Sequence, residues 1–227
     1  MTIKENLCFD YFEDDNDSKV YEIYPDYYKD DRGYFMEVMK CDNNNISPKI
    51  LQNSTNIKQI NRSSSSSSVF RGFHAQMGSN CQGKLVEAVT EKVYDIIIDA
   101  RPNSKSFGVS TIVLLDSEIH NKLWVPRGFL HGFIVPYSIK TNAIFEYMCD
   151  NVYEKTAEIT IQPSSILEQL LNNFKSVNAN NHYDDLFYTM NNSDLTFSKK
   201  DLMGENYESF MNRILDDHVQ NRKLWFK

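Results

Sequence analysis

For most of its length the chain alternates short apolar runs with polar breaks, and the period changes only near the end. Strand-like runs cover Lys19 to Tyr24, Tyr34 to Met39, Ile57 to Arg62, Lys92 to Asp99, Ser110 to Leu115, Lys122 to Pro126, Gly132 to Pro136 and Asn142 to Cys149. Two more, Val69-Phe70 and Leu85-Val86, bracket the polar stretch R-G-F-H-A-Q-M-G-S-N-C-Q-G-K. Many short strands parted by turns predict a mainly β sandwich or barrel. Asp30-Asp31-Arg32-Gly33 reads as a turn, and the Asn-rich Cys41 to Asn56 as an inserted loop. Ser63 to Ser68 is low in complexity and reads as a mobile surface connector, since it lacks the glycines of a phosphate cradle.

Helical spacing comes late. Ile166, Leu167, Leu170, Leu171 and Phe174 form one apolar stripe, with Ser165 and Glu168 spaced as a capping box. Tyr207, Met211 and Ile214 form a second, and an Asn-rich linker followed by L-T-F-S-K-K-D lies between them. Both stripes predict packing surfaces, and Asp201 is expected near the start of the last helix. The pattern divides the chain into a loose acidic lead-in over 1–18, a barrel over 19–160 and a helical extension over 161–227.

Composition narrows the function. At 227 residues the chain suits one domain with extensions. A net charge of −7 argues against general binding of nucleic acid or anionic membranes, though local Arg and Lys can still meet a small phosphate ligand. No apolar run is long enough to cross a bilayer, and T-I-K-E-N is no secretory leader, so a cytoplasmic setting is expected. Cys8, Cys41, Cys81 and Cys149 are scattered, which suggests free thiols in a reducing compartment.

The candidate chemistry centres on Val69 to Val86. On an unbroken strand Phe70, Gly72 and His74 share one side, and Gly72 leaves room for a ligand beside His74. Arg71, Lys84 and His74 suit an anionic ligand with an attached proton-transfer centre. The plainer alternative is a hairpin with a solvated basic edge. Asp95 sits inside an apolar run and needs a partner there. Pro126, Gly128 and His131 resemble the second metal motif of cupins, but Gln76 stands where the first motif would place a histidine. Two histidines alone make a poor metal site, so no metal is expected. His74, Tyr147 and Lys84 supply the residue types for metal-free acid–base chemistry: a base, an acid and a cation.

R-G-F-H-A-Q, C-Q-G-K-L-V, V-Y-D-I-I-I-D-A-R with S-F-G, L-W-V-P-R-G-F-L-H-G-F and F-E-Y follow one another in order, flanked by D-D-R-G-Y-F-M-E and F-S-K-K-D. This series resembles the dTDP-4-dehydrorhamnose 3,5-epimerase family from about Val20 to Asp201. The chain departs from the family at Glu91, where a glycine is typical, and lacks its W-N-D-P element. The resemblance implies a cupin-like jelly-roll barrel with short C-terminal helices, and a homodimer that exchanges N-terminal strands. It implies epimerisation of a dTDP- or UDP-linked 4-keto-6-deoxyglucose at carbons 3 and 5, with no cofactor. By motif, His74 would be the base, Asp201 its dyad partner, Tyr147 the acid and Lys84 the enolate stabiliser. Arg32 and Arg71 would hold the diphosphate; Phe35, Glu37, Gln59 and Asn61 would line the nucleotide and sugar pocket. His131 and Tyr153 would meet substrate, with Asp95 in support. Related alternatives are a single-carbon epimerase, a keto-isomerase and a non-catalytic sugar-nucleotide-binding barrel.

Overall fold

The computed structural model describes residues 1–5, 19–39, 57–177, 183–192 and 194–220. Its strands are β1 (Thr2–Glu5), β2 (Tyr21–Tyr24), β3 (Tyr27–Asp30), β4 (Gly33–Met36), β5 (Gln59–Ser65), β6 (Phe70–Gln76), β7 (Lys84–Thr90), β8 (Lys92–Asp99), β9 (Ser110–Asp116), β10 (Lys122–Val125), β11 (Phe129–Ile134), β12 (Ala143–Cys149) and β13 (Glu158–Thr160). One sheet has the order β1-β2-β10-β7-β12-β5 and the other β13-β6-β11-β8-β9; β3 and β4 form a separate hairpin. The fold is the mainly β, cupin-like barrel, with helices α1 (Leu167–Val177), α2 (Asp184–Asn192), α3 (Lys199–Leu202) and α4 (Tyr207–Val219) after it.

Strand β8 shows why the sequence folds this way. All its residues but the first are buried, because both faces are covered. Val93 and Ile97 pack between the sheets with Val86, Phe133 and Phe145. Tyr94, Ile96 and Ile98 face the other way, onto Leu167, Leu170, Phe210 and Ile214 of the helices. Each fully buried side chain of this size contributes about 1.5–3 kcal/mol. The helices therefore cap the outer face of the five-stranded sheet, and the space between the sheets is apolar at one end.

Several expectations need correction. Thr2–Glu5 is no loose lead-in but an edge strand paired with β2; residues 6–18 lie outside the described ones. The serine run is no loose connector at its start: Ser63, Ser64 and Ser65 end β5 and pair with Phe145, Ile144 and Ala143. Ser165 is not a cap. Its hydroxyl donates to the Gln162 carbonyl at 2.6 Å and accepts from the Tyr207 amide at 3.0 Å, pinning α4 to the barrel. Helix α2 stands in the expected linker, where buried Leu186 gives too short a stripe to read. Asp201 lies in α3, one element before the last helix. The Cys41 to Asn56 loop, Cys8, Cys41 and the Phe174 side chain lie outside the described residues; Cys149 is a buried free thiol. Glu91 does take the left-handed backbone a glycine would favour, at φ 58°, and its carboxylate accepts from the Thr141 amide and hydroxyl.

Strands β6 and β7 lie in different sheets, so the central stretch is not a hairpin. Nor does Gly72 leave room for a ligand. A Cβ there would stand 2.6 Å from Gly132 Cα and 2.8 Å from the His131 carbonyl oxygen. Gly72 lets β6 and β11 approach. With φ at +125° as well, Gly72→Ala is expected to cost about 3 kcal/mol or more. Gly33 has a similar φ of +127° but open space around it, so Gly33→Ala should cost only about 1–2 kcal/mol. Urea midpoints in the reverse order would refute the close approach.

Candidate active site

Strand β6 is irregular where it matters. His74 pairs with His131 and Arg71 with Phe133, so three steps on β6 match two on β11. This bulge resets the alternation. Phe70 and Phe73 both point into the core under the helices, while Arg71 and His74 both line a cavity between the sheets. His74 Nε2 lies 2.7 Å from Asp201 Oδ1. Asp201 is 2% exposed. Its segment is fastened on both sides, by a parallel bridge from Thr196 to Val69 and another from Glu205 to Ile161. Phe197 packs on Phe70 with centroids 5.6 Å apart, and the Ser198 hydroxyl accepts from the Asp201 amide at 3.0 Å. Burial alone would push the Asp201 carboxyl up. The hydrogen bond and charge of His74 outweigh it and hold the carboxyl below the usual aspartate range.

The facing sheet supplies the other wall. Tyr147 on β12 pairs with Val86 and with Asn61, and Lys84 on β7 pairs with Cys149. Burial pushes the Tyr147 phenol up and the Lys84 ammonium down from their ordinary values. His74, Arg71, His131, Lys84, Tyr147 and Asp201 surround one cavity of about 450 Å³. Its apolar floor is Phe133 against Phe145, with ring centroids 4.3 Å apart. His131 Nε2 is 2.8 Å from Asp95 Oδ2, which gives the buried carboxylate the partner it needs.

Other candidates stand elsewhere. Gln59 and Asn61 share a strand with the cavity wall but do not line it: Gln59 Nε2 donates to Asn61 Oδ1 at 2.8 Å, and its Oε1 accepts from the Tyr153 amide. Tyr153 is exposed, with its hydroxyl on Glu158 at 2.9 Å. Arg32, Phe35 and Glu37 are exposed on or beside the β3–β4 hairpin, outside the cavity. Arg32 is paired with Asp30 at 2.5 Å. Gln76 turns its Oε1 to the Glu154 amide at 2.9 Å. Among the described residues no group of three His, Cys, Asp or Glu side chains is placed to hold a metal. The cavity also contains Ser63, Thr196, Ser198 and Lys200, which sequence reasoning missed. F-S-K-K-D held a signal for Ser198 and Lys200; Ser63 was hidden in the serine run.

The model of the dTDP-4-dehydrorhamnose 3,5-epimerase family matches residues 18–205. The chain belongs to this family. The family's enzyme from Escherichia coli is 39% identical over 137 residues, which are 60% of this chain and 71% of that protein. The 3,5-epimerase from Methanothermobacter thermautotrophicus is 34% identical over 58% of this chain and 66% of its own length. Among solved structures, an epimerase from Legionella pneumophila in complex with dTDP-4-keto-L-rhamnose superposes with a TM-score of 0.63. It is 26% identical and covers 94% of this chain and 95% of its own. The epimerase from Elizabethkingia anophelis gives 0.64 at 28% identity, over 91% of this chain and 97% of its own.

In this epimerase-family chain the depressed Asp201 carboxyl links the site to stability. A folded-state pKa below the unfolded one contributes stability in full above the ordinary aspartate value of about 3.9. That stability is lost as pH falls through the lower folded value. The melting-temperature gap between the wild-type chain and Asp201→Asn should therefore narrow as pH drops from about 6 to about 3. A constant gap would show that the carboxylate form is not what the fold favours.

Proposed function

We propose that the chain epimerises a dTDP- or UDP-linked 4-keto-6-deoxyglucose at carbons 3 and 5, giving the 4-keto-rhamnose form for deoxysugar synthesis. The reaction class is isomerisation. The observation that carries the reading is His74 on one sheet, held by the buried Asp201 of α3, with Tyr147 on the other sheet, around a single cavity. The 4-keto group acidifies the C–H bonds on either side of it. His74 takes a proton from one face of the ring, and Asp201, kept ionised by its depressed pKa, orients the imidazole and stabilises its cation. The enolate oxygen turns to Lys84. Tyr147 returns a proton from the opposite face; burial pushes its phenol further above neutral, so it carries that proton. Arg71 holds the diphosphate and His131, fixed by Asp95, meets the sugar. The Legionella structure, with its bound 4-keto sugar nucleotide, supports this substrate class.

The proposal includes a cytoplasmic homodimer. Tyr28 and Phe35 on the β3–β4 hairpin are 72% and 70% exposed. Such an arm suits insertion into a second copy, where Arg32, Phe35 and Glu37 would complete the nucleotide pocket together with Gln59, Asn61 and Tyr153.

In deuterium oxide, a nucleotide-linked 4-keto-6-deoxyglucose should take up solvent label at carbons 3 and 5, with EDTA making no difference. His74→Ala should slow uptake by about 10²–10⁴-fold. Tyr147→Phe should still release a proton but stall before both centres invert. Label at a single carbon, read by NMR, would mark a mono-epimerase; no label with either nucleotide would sink the proposal.

A further inference from the structure

The direction of the Lys84 side chain is set at its root. Lys84 is the first residue of β7, and its pairs with Val125 of β10 and Cys149 of β12 end both ladders. Element ends fray before their middles do. No hydrogen bond or ion pair among the described residues holds the ammonium itself. A flexible four-carbon stem with an untied tip follows its backbone, so a frayed strand end would let the charge swing.

The strand end is clamped instead. One pair beyond the ladder, the Asp150 amide donates to the Gly83 carbonyl at 3.1 Å, and the Gly83 amide donates to Asp150 Oδ1 at 2.8 Å. A side-chain oxygen thus closes a rung that the strands leave open. Gln82 Nε2 donates to the Asn151 carbonyl at 2.8 Å, and Asn151 Nδ2 to the Ser79 carbonyl at 2.9 Å, which ties the approach to Gly83 to the same segment. The Trp124 ring closes over Gly83: a Cβ there would stand 2.7 Å from Trp124 Cη2 and 2.9 Å from Asp150 Oδ2.

Asp150 is 7% exposed, and a carboxylate so buried needs a cation. Arg127, in the turn before β11, supplies one, its Nε donating to Asp150 Oδ2 at 3.0 Å. One oxygen therefore holds Gly83 while the other is held by Arg127. The ionisable groups that bear on the Lys84 ammonium are Cys149, Asp95 and Glu158, so Asp150 reaches it through the backbone and not by charge.

We propose that Asp150, held by Arg127, is a positioning residue that fixes the Gly83–Lys84 peptide and so aims the Lys84 ammonium into the cavity. The assignment rests on the epimerase reading for what Lys84 does to the enolate, but the placing of the ammonium is measured without substrate.

Carbon-13 NMR of the chain labelled at lysine Cε follows the Lys84 titration, its signal identified by loss in Lys84→Arg. In the wild-type chain Lys84 should titrate below the ordinary lysine value of about 10.4, and in Asp150→Ala it should return toward that value as the ammonium reaches water. Asp150→Asn keeps an oxygen for the Gly83 amide and should keep the depressed titration. Arg127→Ala should move it the same way as Asp150→Ala by a smaller amount, and carries the test if Asp150→Ala does not fold. In turnover, Asp150→Ala should lower kcat about 10–100-fold with KM little changed, Asp150→Asn should recover most of the rate, and neither should slow Lys84→Ala further. A titration that moves in neither Asp150→Ala nor Arg127→Ala overturns the proposal. So does an equal shift in Asp150→Asn, or equal slowing by Asp150→Ala with and without Lys84, which would mark a merely structural role. A chain whose Lys84 titration moves as expected yet exchanges no deuterium would refute the epimerase reading while leaving the positioning standing.

Discussion

The hydrogen bond between His74 and Asp201 joins residues 127 positions apart and ties the C-terminal segment to the barrel. Each partner is aimed by its own element. His74 owes its direction to the β6 bulge, which turns it and Arg71 to the same side. Asp201 owes its position to two flanking bridges and to the cap from Ser198. A buried carboxylate without the imidazole would be costly, and an imidazole without the carboxylate would lose its fixed orientation. The close approach of Gly72 to β11 belongs to the same arrangement, because it lies within the bulge that aims the imidazole.

Burial acts on three groups of this cavity with different results. It raises Tyr147, keeping a proton on the phenol. It lowers Lys84 by disfavouring the ammonium, though Cys149, Asp95 and Glu158 pull the other way. At Asp201 burial is overruled by the adjacent histidine. A phenol stays protonated and a carboxylate stays ionised within one space.

The barrel was legible because period-two runs are local, and β8 to β12 fall close to where the apolar pattern puts them. The bulge was not legible, because two residues facing one is a property of a strand and its partner together. Read as an unbroken strand, β6 sends Arg71 and His74 to opposite faces. Ser63 to Ser65 failed for a similar reason: composition says linker, and only pairing with β12 makes them a strand. Asp201 could be named from the order of motifs, but no periodicity in S-K-K-D points to a histidine far upstream. Arg32, Phe35 and Glu37 were named from the same resemblance, and a single chain leaves them in solvent.

In the proposed reading, the residues around the cavity move protons and meet a diphosphate and a sugar. Of the residues that reading assigns to the nucleotide pocket, Phe35 lies on an exposed hairpin, paired with Tyr28, and Glu37 stands just beyond it. Tyr27 and Tyr34 touch only each other and His120 among the ring contacts of the described residues. A hairpin with Tyr28 and Phe35 in water loses the burial that such rings usually gain, about 1.5–3 kcal/mol for a side chain the size of Phe. Two strands alone do not compensate for that loss. In the proposed homodimer a second copy would cover these rings, leaving the proton chemistry to one chain and recognition of the nucleotide to two.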